Sequence, residues 1–253
     1  MASGNNDEVR VEPVTSADDF PALFACTCAT FGRQTNDGVW QANNPGWDTP
    51  EGAAAGAARM ADRWRSATRD SQGRPNTVFL KAVAGAGAGA GAGGGSSIAG
   101  FAIFVQQSVV PGFGDAPVED LARAADLEAL YPGRPDEQRY LCQADYSLHR
   151  RRIEAVKAKR GGDPPATFAL DMCVVDPGFQ RRGIAARLVQ WGLDEAERRG
   201  GLECLTEASP MGRTVYAKLG FRQDGGELEH LVDDEFKDRR WPSNVFMRTG
   251  TQS

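Results

Sequence analysis

The run from Thr167 to Leu188 constrains this chain more than any other part of it. Thr-Phe-Ala-Leu-Asp-Met-Cys-Val-Val-Asp over 167–176 has the composition of a strand, and Pro177-Gly178 ends it. Phe179-Gln180-Arg181-Arg182-Gly183-Ile184-Ala185-Ala186-Arg187-Leu188 follows, with Ile184, Leu188 and Trp191 on one helical face. A strand, a glycine-bearing turn and a helix N-terminus in that order expose backbone N–H groups at the positive end of a helix dipole. Between Pro177 and Leu193 stand Arg181, Arg182 and Arg187 and no acid, although the whole chain has a net charge of −5. Gly183 permits close approach of a ligand, and Ala185 leaves the first turn unobstructed. The turn therefore reads as a site for a phosphate or pyrophosphate. It lacks the Lys-Ser/Thr of a Walker A loop, so nucleotide hydrolysis is not implied.

Composition narrows the remaining classes. At 253 residues the chain buries about 70–75% of its unfolded surface, enough for a core without disulfides or metals. An acidic balance, with a pI near 5.2, weighs against nucleic acid and anionic membranes as partners. No apolar run is long enough to span a bilayer, and the polar segment Met1–Arg10 does not read as a signal peptide, so a cytoplasmic protein is expected. Five cysteines form no CxxC pair and the only histidines are His149 and His230, so no metal site is expected. Cys26-x-Cys28 falls in a helical pattern without histidine partners nearby.

Along the chain, 8–15 alternates as a strand, Ser16 or Asp18 caps a helix carrying Phe20, Leu23, Phe24 and Phe31, and 35–51 reads as an exposed loop anchored by Trp40 and Trp47. A helix over about 52–70 precedes strands at 78–83 and 98–105. Between these strands, 84–97 is nearly pure Gly and Ala and reads as a flexible hairpin tip. Gly89, Gly91 and Gly94 match G-x-G-x-x-G there, but a strand follows instead of the helix that a dinucleotide site needs. Residues 106–165 read as a helical insertion, with helices near 117–130 and 135–160. His149, Arg150, Arg151 and Arg152 in the longer helix read as a solvated face rather than a nucleic-acid patch.

Gln180-Arg181-Arg182-Gly183-Ile184-Ala185 resembles the Q/R-x-x-G-x-G/A motif of the GNAT superfamily of acyl-CoA N-acyltransferases. The strand ending in Val-x-Pro before it, the strand Leu202–Ser209 after it, and Val215-Tyr216-Ala217-Lys218-Leu219-Gly220-Phe221 agree with that family in order and spacing over about 167–222. The insertion resembles that of fungal members related to puromycin-type small-molecule acetyltransferases. Ala185 replaces the commoner second glycine, and Ser209 and Gly212 stand where many members carry an asparagine that contacts the cofactor.

The resemblance implies a fold of the α/β (α+β) class in a single GNAT domain over 1–253. Its sheet would have about six or seven mostly antiparallel strands with two splayed parallel ones, and helices on both faces. It also implies acetyl-CoA as cosubstrate, with pantetheine on the backbone of Cys173, Val174 and Val175 and the diphosphate on Gln180, Arg181, Arg182, Gly183, Ile184, Ala185 and Ala186. Ser209 and Lys218 complete the cofactor set. Backbone donors on the first splayed strand would stabilise the developing oxyanion. Tyr216 is the implied acid for the departing thiolate, and Asp171 or Glu207 the base for the amine. Cys173 reads as a packed thiol, with no histidine placed to activate it. Trp40, Trp47, Phe113, Tyr140 and Tyr146 are candidates for the acceptor pocket. The expected activity is acetyl transfer to a small-molecule amine, in detoxification or resistance, by a monomer or homodimer. The alternatives are a protein or peptide acetyltransferase and a non-catalytic acyl-CoA-binding module.

Overall fold

A computed structural model of the protein describes residues 9–85 and 97–250. Apart from its ends, the Gly/Ala run with Gly89, Gly91 and Gly94 lies outside them, as does Met1–Glu8. The strands are β1 (Val9–Pro13), β2 (Thr77–Ala84), β3 (Ser97–Gln107), β4 (Thr167–Val175), β5 (Glu203–Ala208), β6 (Arg222–Glu227) and β7 (Val245–Arg248). The helices are α1 (Phe20–Thr27), α2 (Gly38–Asn43), α3 (Pro50–Arg65), the single turns α4 (Leu121–Ala124) and α5 (Leu127–Leu130), α6 (Pro135–Ala158), α7 (Ile184–Arg198) and α8 (Pro210–Lys218).

The strands form one seven-stranded sheet in the order β1-β2-β3-β4-β5-β7-β6. Every neighbouring pair is antiparallel except β4 and β5, which run parallel. This is the mixed sheet expected from the sequence. One face carries α7 and α8, whose Leu188, Val189 and Tyr216 join Phe104, Phe168 and Leu170 in the largest core cluster. On the other face α1 and α3 bring Phe20, Leu23 and Ala61 onto Phe79, Phe101 and Ile103. There α6 packs Ala155 and Val156 against Ala169, Leu205 and Phe246. Phe104 and Phe168 stack with ring centroids 5.1 Å apart at the centre, each ring worth about 1.5–3 kcal/mol of burial.

Two irregularities in β4 prepare the site. Its parallel pairing runs only from Thr167–Leu170 against Glu203–Thr206, after which the strands part. Against β3, Ile103 pairs with Met172 and Phe104 with Leu170, so Asp171 is the extra residue of a bulge. A bulge shifts the alternation of side chains and bends the strand. Phe168 and Leu170 face the α7 side before it, and Cys173 and Val175 do so after it. Asp171 is thereby turned toward the helices of the opposite face, where it meets α3 and α6.

Three local readings change. The stretch 35–51 contains α2, because the Asp37 carboxylate accepts from the N–H groups of Val39 and Trp40 and caps a new turn. The single helix expected near 117–130 is two turns, since Ala125 is extended and Asp126 caps the second through Ala129 N–H. The solvated face expected at 149–152 is in part interior, with the Arg152 side chain only 5% exposed. Hydropathy marks an arginine as a surface residue, and its buried partners come from strands distant in sequence.

Gly192 of α7 lies directly against the Phe104 ring, with no room for a Cβ. Gly192→Ala is expected to overpack this contact and cost about 1–3 kcal/mol, read as a lower urea midpoint at unchanged slope. A midpoint equal to the wild type would show that α7 can move away freely.

Candidate functional site

Where β4 and β5 part, β4 continues from Asp171 to Val175 with no strand among the described residues on its β5 side. A row of backbone donors and acceptors is thus open to an extended ligand, as at any sheet edge. Beyond Val175 the chain turns through Arg181, at φ 62°, and Gly183, at φ 77°. Left-handed residues curl the backbone so that successive N–H groups converge, a geometry that suits anions. Among the described residues no side chain caps α7, which leaves the N–H groups of its first turn without such a partner. A Cβ on Gly183 would meet nothing within 4 Å, which leaves clear approach to those groups.

A cavity of about 280 Å³ runs along this edge to the α7 N-terminus. Of the cofactor residues expected from the sequence, Cys173, Val174, Val175, Gln180, Arg181, Gly183, Ile184, Ala185, Ala186 and Ser209 line it. Arg182 and Lys218 do not. Arg182 stacks over the Phe179 ring and donates to Gly178 O, and Lys218 is exposed in the last turn of α8. The opposite wall is formed by Thr30, Phe31, Gln34 and Thr35, which the sequence reading missed. They belong to a π-helical stretch, Cys28–Gln34, that continues α1, and such widened turns recur at functional sites. The Gln34 and Gln180 side-chain amides donate to one another at 3.0 and 2.7 Å, tying this wall to the turn before α7.

A second cavity, of about 510 Å³, lies on the α3–α6 side of the sheet. Phe31, Cys173, Ser209 and Tyr216 line both cavities. Tyr216 reaches this junction from α8, where Gly212 gives its ring room: a Cβ there would come within 2.6 Å of it. Burial, followed by the adjoining Cys173 thiol, pushes the Tyr216 phenol well above its ordinary pKa, so it remains protonated. Burial also pushes the Cys173 thiol up to about 12, which leaves little nucleophilic thiolate.

Asp171 and Glu207 both face the second cavity. Arg152 lies behind them and is held by both. Its Nη1 donates to Asp171 Oδ1 at 2.6 Å, its Nε to Glu207 Oε1 at 3.1 Å, and its Nη2 to Glu207 Oε2. Arg63 of α3 donates to the other Asp171 oxygen at 2.8 Å. Burial alone would raise the Asp171 pKa, but Arg63 and Arg152 outweigh it and hold the carboxyl well below the usual carboxylate range.

The cavity also holds a pair that the sequence reading passed over, His149 and Asp145. Their i,i+4 spacing on α6 places them on one face, and His149 Nδ1 lies 3.1 Å from Asp145 Oδ1. Nε2 has no protein partner among the described residues. Burial pulls the imidazole pKa down, but the Asp145 hydrogen bond and charge prevail and leave it raised. That spacing was visible in the sequence; the cavity beside it was not. Of the aromatic candidates, Trp40 lines the cavity and Trp47 packs on Trp40. Tyr140 is buried with Val39 and Phe236, while Phe113 and Tyr146 are exposed.

Residues 155–230 match the acetyltransferase (GNAT) domain family. That segment holds β4, the turn before α7, α7, β5, α8 and β6, and the match supports an acetyl-CoA-dependent N-acetyltransferase. A search of curated proteins finds no match. Among solved structures, the chain is similar to a Drosophila melanogaster polyamine N-acetyltransferase that catalyses formation of N-acetylagmatine (TM-score 0.55, 13% identity, 95% of this chain and 97% of that one). It is also similar to arylalkylamine N-acetyltransferase 2 of Aedes aegypti (TM-score 0.53, 16% identity, 95% and 97%). At these identities the likenesses establish the fold. Among the described residues, no helix is long and apolar enough to cross a membrane, and no group of three His, Cys, Asp or Glu could hold a metal ion.

Arg152→Met is expected to cost about 3–5 kcal/mol, because it strands two buried carboxylates. Arg63 is 43% exposed, so Arg63→Met should cost about 1 kcal/mol or less. Urea unfolding of the two variants checks the difference. Equal losses would contradict the central place given to Arg152.

Proposed function

We propose that the protein transfers the acetyl group of acetyl-CoA directly to the amine of a small molecule. The observation that carries this reading is the meeting of two cavities at Cys173, Ser209 and Tyr216, where β4 and β5 part. The open β4 edge and the uncapped α7 N-terminus fit a pantetheine arm and a diphosphate, respectively. In this reading the backbone of Cys173, Val174 and Val175 pairs with the arm. The N–H groups of the turn from Gln180 to Ala186 hold the diphosphate, with Ser209 at the junction and Arg182 and Lys218 adding only peripheral charge. Bound there, acetyl-CoA supplies an activated thioester. The second cavity, of about 510 Å³, is of a size for a small acceptor, and a detoxifying role rests on the resemblance of residues 106–165 to the insertion of fungal puromycin-type enzymes.

An alkyl ammonium must lose a proton before its nitrogen can attack. Asp171 is weakened as a base by its two arginines, and Glu207 is engaged by Arg152; both serve in this reading to fix Arg152 and the field around the amine. His149 is better suited, with Nε2 free and Asp145 fixing the ring. It takes the ammonium proton, directly or through a water, and passes it to solvent. Tyr216 Oη protonates the sulfur as the C–S bond breaks and recovers a proton from the newly acylated nitrogen.

Steady-state kinetics test both roles. Tyr216→Phe should lower kcat by about 10²–10⁴ while acetyl-CoA affinity is retained; an unchanged kcat would sink the acid assignment. For His149, the neutral ring is the active form, so kcat/KM should rise with pH through a value above the usual imidazole pKa of about 6.5. Asp145 and Arg152 from α6, Glu207 from β5 and Asp171 from β4 all act on that ring. Asp145→Asn should move the rise to lower pH, and His149→Gln should abolish it. A rise that survives His149→Gln would assign the base elsewhere.

A further inference from the structure

Most of the charges around the second cavity are paired within the protein. Asp171 is held by Arg63 and Arg152, and Glu207 by Arg152. Asp145 is taken by His149, and Asp37 accepts from the N–H groups of Val39 and Trp40 as the cap of α2. Of these four carboxylates Asp37 alone has no ion-pair partner among the described residues, and both of its hydrogen bonds fall on Oδ1. One lining cation has no counter-ion among the described residues. Arg59 of α3 reaches only the neutral amide oxygen of Asn44, at 3.3 Å. It is half-buried, and that burial lowers its pKa, as expected for a guanidinium with no carboxylate beside it. Phe31, Trp40 and Met60, which belong to one hydrophobic cluster, line the same cavity.

We propose that the acceptor carries a carboxylate as well as its amine, beside an aromatic or large apolar side chain, and that Arg59 selects it. The inference rests on the acetyl-transfer reading and names its substrate class. A carboxylate on Arg59 gives that guanidinium its missing partner through charge-assisted hydrogen bonds. The side chain then lies against Phe31, Trp40 and Met60, and the amine is left for the His149 side of the cavity. A polyamine, with several cations and no anion, offers Arg59 no partner. An arylalkylamine leaves Arg59 unpaired.

Acceptor pairs that differ only in the carboxylate test this: phenylalanine against phenethylamine, and tryptophan against tryptamine. Coenzyme A release and calorimetric binding to the coenzyme A-bound protein are both read, for the wild type, Arg59→Gln and Arg59→Lys. The wild type should favour the carboxylate-bearing member by about ten- to hundredfold, mainly in KM. Arg59→Gln should bring the ratio near one, and Arg59→Lys should restore part of it. Arg59 does not line the first cavity, so stabilisation by acetyl-CoA, measured on each variant, confirms that it is folded and loaded. Preference for the bare amine, a ratio unchanged in Arg59→Gln, or binding of neither member would overturn the proposal while leaving acetyl-CoA binding intact. Loss of acetyl-CoA stabilisation in the wild type would instead overturn the acetyl-transfer reading beneath it.

Discussion

Arg152 enters the sheet from α6 at the point where β4 and β5 separate, and its guanidinium grips Asp171 on one strand and Glu207 on the other. Burying such a cluster contributes little net stability, because desolvation offsets most of the Coulombic gain. Its effect is on geometry. The side chains of two diverging strands are fixed to one rigid, planar group, and the Asp171 bulge supplies the reach. With that spacing fixed, β4 keeps an unpaired edge for an extended ligand on one side and a cavity floor on the other.

The two cavities draw on different parts of the chain. The first is mostly backbone: the β4 edge, the left-handed turn at Arg181 and Gly183, and the uncapped start of α7. Backbone recognition needs few particular side chains, which is why small residues such as Gly183, Ala185 and Ala186 line it. The second is built from side chains of α2, α3 and α6, and here the charges decide what fits. Tyr216, a buried residue of α8, is one of the four side chains that line both.

The first cavity was legible in the sequence because its determinants are local. A strand, a proline-glycine stop, a glycine at a left-handed position and an amphipathic helix can each be read from adjacent residues. The second was not, because its partners are joined only by the fold. In sequence Arg152 is one arginine among several in a polar helix, and its partners Asp171 and Glu207 come from two different strands. His149 and Asp145 carried an i,i+4 signal, yet no pattern along α6 said which face would meet a cavity. The expected loop around Trp40 became α2 through a single capping carboxylate on Asp37, and the same kind of cap on Asp126 split the helix expected near 117–130. In each case one side-chain oxygen outweighed the composition of its neighbourhood.

The proposed activity depends on the β4 edge and the α7 N-terminus receiving acetyl-CoA, and thermal unfolding with and without it tests this most directly. At one hundred times Kd, linkage gives about 2.7 kcal/mol of added stability, a rise in Tm of roughly 5–10 °C for a chain of this size. A rise of that size in the wild type, much reduced in Gly183→Val, is the predicted result. An unchanged Tm at millimolar acetyl-CoA would contradict it, and the assignment of both cavities would fall together.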